Sequence, residues 1–527
     1  MAPRVLVCDP IADEGVRALQ EFGAEVDVRL RQSPDELIAN ISDYDAVIVR
    51  SETRVTAAAI QAAQRLQVVG RAGIGVDNID VEAATQRGIL VVNAPTGNII
   101  SAAEHSVGLM LSLARNIPQA NVTLKGGKWE RSRFMGVEVR GKTLGIIGLG
   151  QVGSEVARRA RGLEMRVVGC DPFVPEERAR VLGVDMVSLE ELLRQSDFIT
   201  IHTSLTEGTR GLIGEAELAL VKANVRIVNT ARGGIIDEEA LCRAVAEGRV
   251  AGAALDVFEG EPKVNPKLLE SESIIVTPHL GASTAEAQER VALDVVEQII
   301  AVFKGEPVRY AVNAPLIPPE TLSFLAPYIE VGVKTGNLAM QLCEGQLGGV
   351  VISYSGEIGL HDVTSLKAAV IRGLLAPISE EQVTIVNADI VAQRRGMRIE
   401  EHKGPSHDIY SNLITVRLTT SAGQTTVSGT LAHDGPHIVL VNDYWVDIPP
   451  SEGYLLVCEN RDRPGMIGAI GTMLGGFDVN VSFMNVGRHT ARGHALMVLM
   501  LDEALNAEQL KKLQQIPDIY AVKLARL

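Results

Sequence analysis

Thr143-Leu144-Gly145-Ile146-Ile147-Gly148-Leu149-Gly150-Gln151-Val152-Gly153 decides the architecture of this 527-residue chain. An apolar strand runs into Gly-x-Gly-x-x-Gly, and a helical pattern, Ser154–Gly162, follows at once. A second strand, Met165–Gly169, leads to Asp171, 18 residues beyond Gly153. Strand, glycine turn, helix, strand and acid in that order make a dinucleotide-binding unit, which a bare glycine motif would not. Gly148 permits the tight turn, Gly150 lets backbone approach a pyrophosphate, and Gly153 lets the helix lie close on the strand. The helix N-terminus offers free N–H groups and positive potential to the phosphates. Asp171 accepts from a ribose 2′-OH and repels a 2′-phosphate, so the expected cofactor is NAD rather than NADP.

The same strand–helix alternation extends in both directions. Upstream, Val5-Leu6-Val7, Ala46–Val49, Gln67-Val68-Val69 and Leu90-Val91-Val92 read as parallel strands, with Asp13–Phe22 and Thr56–Gln64 as crossover helices. One long helical pattern, Ile99 to about Leu124, joins this unit to the next and leads into a basic stretch, Lys125 to Arg133. Alternation continues to about Pro278, and Ala285–Phe303 is a helix with Val291, Val295, Val296, Ile299 and Val302 on one face. Two doubly wound Rossmann-like units in series are the economical reading. Ala314–Pro319 is proline-rich and reads as a linker. Residues 320–452 mix helices (Leu322–Leu342, Thr364–Leu375) with strands (Val350–Tyr354, Leu413–Thr419, Thr425–Thr430, His437–Val441), an α+β domain without a parallel-sheet pattern. After Ile448-Pro449-Pro450, residues 453–527 read βαββαβ, the ferredoxin-like split.

Three side chains at strand ends carry the chemistry. His279 follows Pro278 where the apolar run Ile274–Val276 stops, and a histidine so placed is a proton handler. Glu261, in Asp256–Pro262, can hold that imidazole in one tautomer. Arg232, in Asn229–Gly234, is followed by two glycines that leave room for a ligand, and its planar guanidinium suits a carboxylate bidentately. A cation, a carboxylate and an imidazole together are what oxidising an anionic 2-hydroxy acid requires.

With Gly70–Asn78, Gly148–Gly153, Asn229–Gly234, Asp256–Pro262 and Thr277–Thr284, the chain resembles the D-isomer-specific 2-hydroxyacid dehydrogenases over residues 1–315. It is most similar to their long members. The resemblance implies Arg232 as substrate clamp, Glu261 as partner and His279 as acid/base. It puts Gln151, Val152, Thr203, Ala231, Asp256, His279 and Gly281 with the glycine motif on NAD, Asp256 at the nicotinamide carboxamide. Gly73, Ile74 and Gly75 would offer backbone to the substrate carboxylate, and Arg50 and Asn98 would take a phosphate. The implied reaction is oxidation of 3-phospho-D-glycerate to 3-phosphooxypyruvate, the first step of phosphorylated serine synthesis. The basic run resembles a segment that a neighbouring subunit supplies, and a homotetramer is implied. Asn460–Gly465 with Phe477–Val481 is similar to the ACT domain, so Asn460, Asp462 and Asn480 are the expected L-serine contacts. Residues 320–452 resemble the long members' extra domain, where an anion can bind. Here Val439 to Gly453 contains no Lys, Arg or His to hold one.

The expected units are 1–97 with 283–316 for substrate, 98–282 for NAD, 317–452 intervening and 453–527 regulatory. A hydrophobic share of 46% against 22% charged residues excludes a disordered chain, and a formal net charge of −15 argues against a nucleic-acid surface. No apolar run approaches a membrane span. The five scattered cysteines lack metal-ligand spacing and read as reduced thiols, which points to the cytoplasm. Two other readings share the scaffold: a glyoxylate or hydroxypyruvate reductase, and an NAD-sensing corepressor-like module.

Overall fold

Four sheets follow one another along the chain in this computed structural model, which describes residues 2–314, 319–449 and 453–527. Most of the expected Ala314–Pro319 linker, and Pro450, lie outside the described residues. The first sheet is parallel, in the order Glu25–Val28, Arg4–Val7, Ala46–Val49, Val68–Arg71, Leu90–Asn93. Its outer strand Glu25–Val28 escapes the apolar-run criterion because it alternates acids with valines and sits half exposed at the edge. Helix Ala285–Lys304 returns the chain to this sheet. Its stripe Val291, Val295, Val296 and Ile299 shares a core with Val5, Val7, Ile48 and Val68. Thr284 caps its start by accepting from Ala287 N–H, and Gly305 at φ 71° ends it.

The second sheet is also parallel: Ile274–Val276, Gly252–Leu255, Arg226–Asn229, Phe198–Ile201, Thr143–Ile147, Arg166–Cys170, Asp185–Met186. Strand order reverses between Phe198–Ile201 and Thr143–Ile147, the switch point at which such sheets open a crevice beyond their C-terminal strand ends. The single long helix expected from Ile99 to Leu124 is two, Ile99–Arg115 and Ile117–Lys125. Asn116 between them has φ 52°, a left-handed conformation asparagine tolerates. Pro118 then falls in the first turn of the second helix, where its missing N–H costs nothing.

In the third sheet, Ile399–Gly404 pairs parallel with Leu347–Gly356, and Asn412–Thr420, Gly423–Ala432, Gly435–Val441 and Tyr444–Ile448 continue antiparallel. The parallel pair departs from the expectation of a sheet without one. The fourth sheet is antiparallel, in the order Val481–Arg488, His494–Leu501, Tyr454–Arg461, Ile519–Arg526. Helices Met466–Gly476 and Ala507–Gln514 complete the βαββαβ order.

Both faces of this last sheet's two central strands, Tyr454–Arg461 and His494–Leu501, are buried. Leu456, Cys458, Met497 and Leu499 pack on its own helices. Leu455, Val457, Leu496, Val498 and Met500 point the other way, into one core with Val416, Ile438 and Leu338 of the preceding unit. Gln341 seals the seam by exchanging hydrogen bonds with the Arg526 backbone, 2.8 Å in each direction. Among the described residues no helix is long and apolar enough to cross a membrane.

Candidate active site

A cleft of about 560 Å³ opens between the first two sheets. His279 enters it three residues beyond Ile274–Val276, at φ 54°, a backbone region that a non-glycine residue rarely holds unsupported. Its N–H donates to the Asp256 carbonyl at 2.9 Å. Its Nδ1 lies 2.8 Å from Glu261 Oε2, and the other carboxylate oxygen accepts from Phe258 N–H at 2.9 Å. Glu261 is not at a strand end as expected: Gly252–Leu255 stops six residues earlier, and the loop between folds the carboxylate back under the imidazole. Burial pushes the Glu261 carboxyl up, but the His279 and Phe258 hydrogen bonds outweigh it and hold it below the usual carboxylate range. With Nδ1 committed to Glu261, Nε2 is the nitrogen left to exchange a proton with a ligand.

Three guanidinium groups line the same cleft: Arg50, Arg71 and Arg232. Arg232 donates to the Ala231 carbonyl at 2.7 Å and reaches across to Asp77 Oδ2 at 3.5 Å. Gly75 is what makes room for it, since a Cβ there would lie 2.2 Å from an Arg232 nitrogen. Arg50 follows Ala46–Val49, where Asp9 accepts its backbone N–H at 2.6 Å and leaves the guanidinium only a 3.4 Å contact with the Pro10 carbonyl. Arg71 had no role in the sequence reading. It closes Val68–Arg71, and among the described residues its buried Nε has no partner. Burial, then Arg232 and Arg50, push its guanidinium down to about 10, so it stays cationic at neutral pH. Like Arg50, Arg71 ends an apolar strand, and Gly70 and Gly73 stand beside it in addition. Asn98 sits at the N-cap of Ile99–Arg115 without capping it, and its buried Oδ1 is likewise unpartnered. Ile74 and Gly75 form the facing wall, with Gly73 beside them next to Arg50 and Ala72.

The glycine motif fits a dinucleotide. Gly148 has φ 92°, and a Cβ there would lie 2.6 Å from the His202 carbonyl. A Cβ on Gly153 would lie 2.0 Å from the Gly148 carbonyl. At Gly150 a Cβ would meet nothing, which leaves open space over the start of helix Gln151–Gly162. Gln151, Val152, Thr203, Ala231 and Gly281 line the cleft around that helix end. Asp171 accepts from Leu149 N–H at 2.8 Å and Phe173 N–H at 2.9 Å, which fixes it at the rim of the turn.

Other expected groups lie elsewhere. Asp256, expected on the nicotinamide, is fully buried beneath the cleft lining. Its carboxylate accepts from Thr277 Oγ1 (2.6 Å), Leu280 N–H (2.8 Å) and Gly281 N–H (2.9 Å), with His105 Nε2 at 3.1 Å. The effector trio is split within one chain. Asn460 pairs with Ala495 at one end of the last sheet. Asn480 sits by Leu501 at the other, donating to Asp502 at 2.7 Å. Six residues of strand separate those ends, about 20 Å. Asp462, beside Asn460, is held by Arg488 at 2.8 Å and by Arg492 N–H. In the basic run, Arg133 is tied to its own chain through Glu130 and Glu272.

Known proteins resemble the chain domain by domain. Residues 107–281 match the D-isomer specific 2-hydroxyacid dehydrogenase NAD binding domain, 324–442 the D-3-phosphoglycerate dehydrogenase intervening domain, and 454–518 the ACT domain. D-3-phosphoglycerate dehydrogenase of Methanocaldococcus jannaschii is 43% identical over 99% of this chain and 100% of its own. The Bacillus subtilis D-3-phosphoglycerate dehydrogenase is 43% identical over 99% of each. Among solved structures, D-lactate dehydrogenase from Aquifex aeolicus complexed with NAD and lactic acid superposes with TM-score 0.53 at 27% identity, covering 59% of this chain and 99% of its own. The shorter lactate enzyme thus shares only part of the chain, whereas the two phosphoglycerate enzymes run through the intervening and ACT domains as well. That full-length likeness decides between the branches: the chain belongs to the D-3-phosphoglycerate dehydrogenases, long members of the D-isomer-specific 2-hydroxyacid dehydrogenase family.

Proposed function

We propose that the chain oxidises 3-phospho-D-glycerate to 3-phosphooxypyruvate with NAD, the opening reaction of the phosphorylated route to serine. One observation carries this reading: three arginines share a cleft with a histidine–carboxylate pair. The substrate brings a carboxylate and a phosphate, and a cluster of guanidinium groups is the recognition chemistry for both. Residues 1–97 with 283–316 serve as the substrate side in this reading, and 98–282 as the cofactor side.

The Gly148–Gly153 turn would hold NAD, which would supply the hydride acceptor for C2. The rest falls to the side chains of the chain. Arg232 orients the substrate carboxylate and polarises the C2 oxygen, while Arg50, Arg71 and Asn98 hold the phosphate. His279 Nε2 takes the hydroxyl proton as the carbonyl forms, and the Glu261 carboxylate stabilises the imidazolium so produced. Asp171 at the rim favours a free 2′-OH over a 2′-phosphate.

The ACT domain supports control by a small molecule, for which we take L-serine. Because Asn460 and Asn480 lie at opposite ends of one sheet, the site requires two copies to bring them together, in keeping with a homotetramer. All five cysteines are free thiols, which fits a cytoplasmic enzyme.

The test is NADH production from 3-phosphoglycerate by purified protein, compared with glycerate and lactate. Arg50→Ala should raise KM for the phosphorylated substrate about tenfold or more, as expected for a lost charge-assisted contact. Equal turnover of unphosphorylated hydroxy acids by the unaltered chain would defeat the assignment.

A further inference from the structure

We propose that His105 is a positioning residue for the reaction at His279, acting through Asp256. This rests on the dehydrogenase reading above and extends it to a side chain outside the cleft. His105 belongs to helix Ile99–Arg115, one of the two segments that cross between the parallel sheets. Its Nε2 lies 3.1 Å from Asp256 Oδ1 and 3.3 Å from Thr277 Oγ1. Thr277 spends its single proton on the same carboxylate oxygen, at 2.6 Å. The nitrogen between these two acceptors must therefore carry a hydrogen, so His105 donates to Asp256.

Asp256 grips His279 from both sides. Its carbonyl accepts the His279 N–H at 2.9 Å. Its carboxylate accepts the N–H groups of Leu280 and Gly281, the two residues that follow. His279 itself sits at φ 54°, a conformation that costs free energy and persists only where surrounding bonds over-determine it. That conformation is what carries Nδ1 to Glu261. Asp256 is fully buried, and a buried carboxylate keeps one orientation only while its donors are complete. Burial pushes the Asp256 carboxyl up, but the bond from His105, followed by those from Thr277 and Leu280, holds it below the usual carboxylate range.

An apolar side chain at position 105 removes one donor from this set. The carboxylate turns, the 277–281 loop relaxes and the imidazole moves, while the Gly148–Gly153 turn is untouched. Displacing a catalytic group by a fraction of an ångström costs turnover, not cofactor affinity.

The experiment compares His105→Leu and His105→Asn in the full chain, by steady-state kinetics and by NMR of ¹³Cε1-labelled histidine. There are ten histidines, and His279→Gln assigns the resonance of interest. Leu should lower kcat about tenfold, leave KM for NAD within about twofold, and shift the His279 resonance. Asn, which restores an N–H donor, should recover about half or more of kcat. Two results overturn the proposal. One is Leu with unchanged kcat and an unmoved His279 resonance. The other is a loss of kcat matched by higher KM for NAD and lower Tm, with no recovery by Asn, which marks a merely structural residue. If the unaltered chain fails to oxidise 3-phosphoglycerate, the functional reading falls on its own, and the His279 resonance still decides the role of His105.

Discussion

The chain contains two kinds of junction between neighbouring sheets. Between the first and second sheets lies an open polar cleft, with three arginines and a His–Glu pair on its walls. Side chains there meet across space, as Arg232 and Asp77 do at 3.5 Å. Between the third and fourth sheets the contact is apolar: Leu455, Val457, Leu496 and Val498 complete a core begun by Val416 and Ile438. Polar groups on an open cleft stay hydrated until a charged ligand displaces the water. Apolar groups that exclude water bind two units into one body. The first junction therefore leaves room for a ligand, and the second joins two units through one apolar core.

Breaking the cleft chemistry should give the largest effect. His279→Ala removes the proton acceptor and should lower kcat about 10³-fold, within the range for a lost general base. NAD binding, followed by quenching of protein fluorescence, should persist because the glycine turn is intact. A kcat drop of less than about tenfold would return the proton-handling role to another group. Breaking the seam should act on stability instead. Leu455→Ala should cost about 3 kcal/mol, the usual price of a large-to-small change in a closed core. Calorimetry should show the third and fourth units losing stability in one shared transition while turnover at 25 °C persists. Two separated transitions, with only the last displaced, would show the seam to be a weak contact.

The seam was legible but went unread. Tyr454–Cys458 and Ala495–Leu501 are continuous apolar runs, whereas a sheet with one wet face alternates apolar and polar residues. Unbroken runs in an antiparallel sheet signal burial on both faces. Edge strands gave the opposite error: Ile399–Gly404 carries Glu400, Glu401, His402 and Lys403 outward, so no apolar run announced it. In the cleft, Arg232 and His279 could be picked out because each stands beside a glycine or proline just past an apolar run, and Glu261 because it lies between Gly260 and Pro262, whereas Arg50 only ends a strand and owes its role to the family resemblance. Arg71 also ends an apolar strand, next to Gly70, but it stands inside the Gly70–Asn78 stretch that carries the family resemblance. His105 has no local signal, because its meaning depends on a carboxylate that the fold brings up from a distant strand. The split of the effector trio between the two ends of the sheet was hidden for a related reason, since local motifs do not say at which end of a sheet a residue emerges.

Acid gives the smallest effect and sharpens the contrast between the junctions. Glu261 and Asp256 both have carboxyls held below their usual range in the folded chain. A depressed pKa contributes stability above the unfolded value, near pH ~4, and that contribution is lost as pH falls through the folded value. The affected window therefore lies below pH ~4 and acts on the loops that carry His279. At the seam, Glu344 pairs with Lys523 across the two units at 2.9 Å, but this carboxylate is mostly exposed and so solvent-screened, outside the apolar core. Asp462 is also depressed, by Arg488 above all, but its pair is solvent-screened and lies at the sheet's far end. Acidification should therefore raise amide exchange in 277–283 before it reaches 455–458 and 496–500. Asp256→Asn should blunt the difference, because an amide in that pocket has no proton to gain as the pH falls. Simultaneous loss of protection at both junctions would mean that the cleft loops are held by the global fold rather than by their carboxylates.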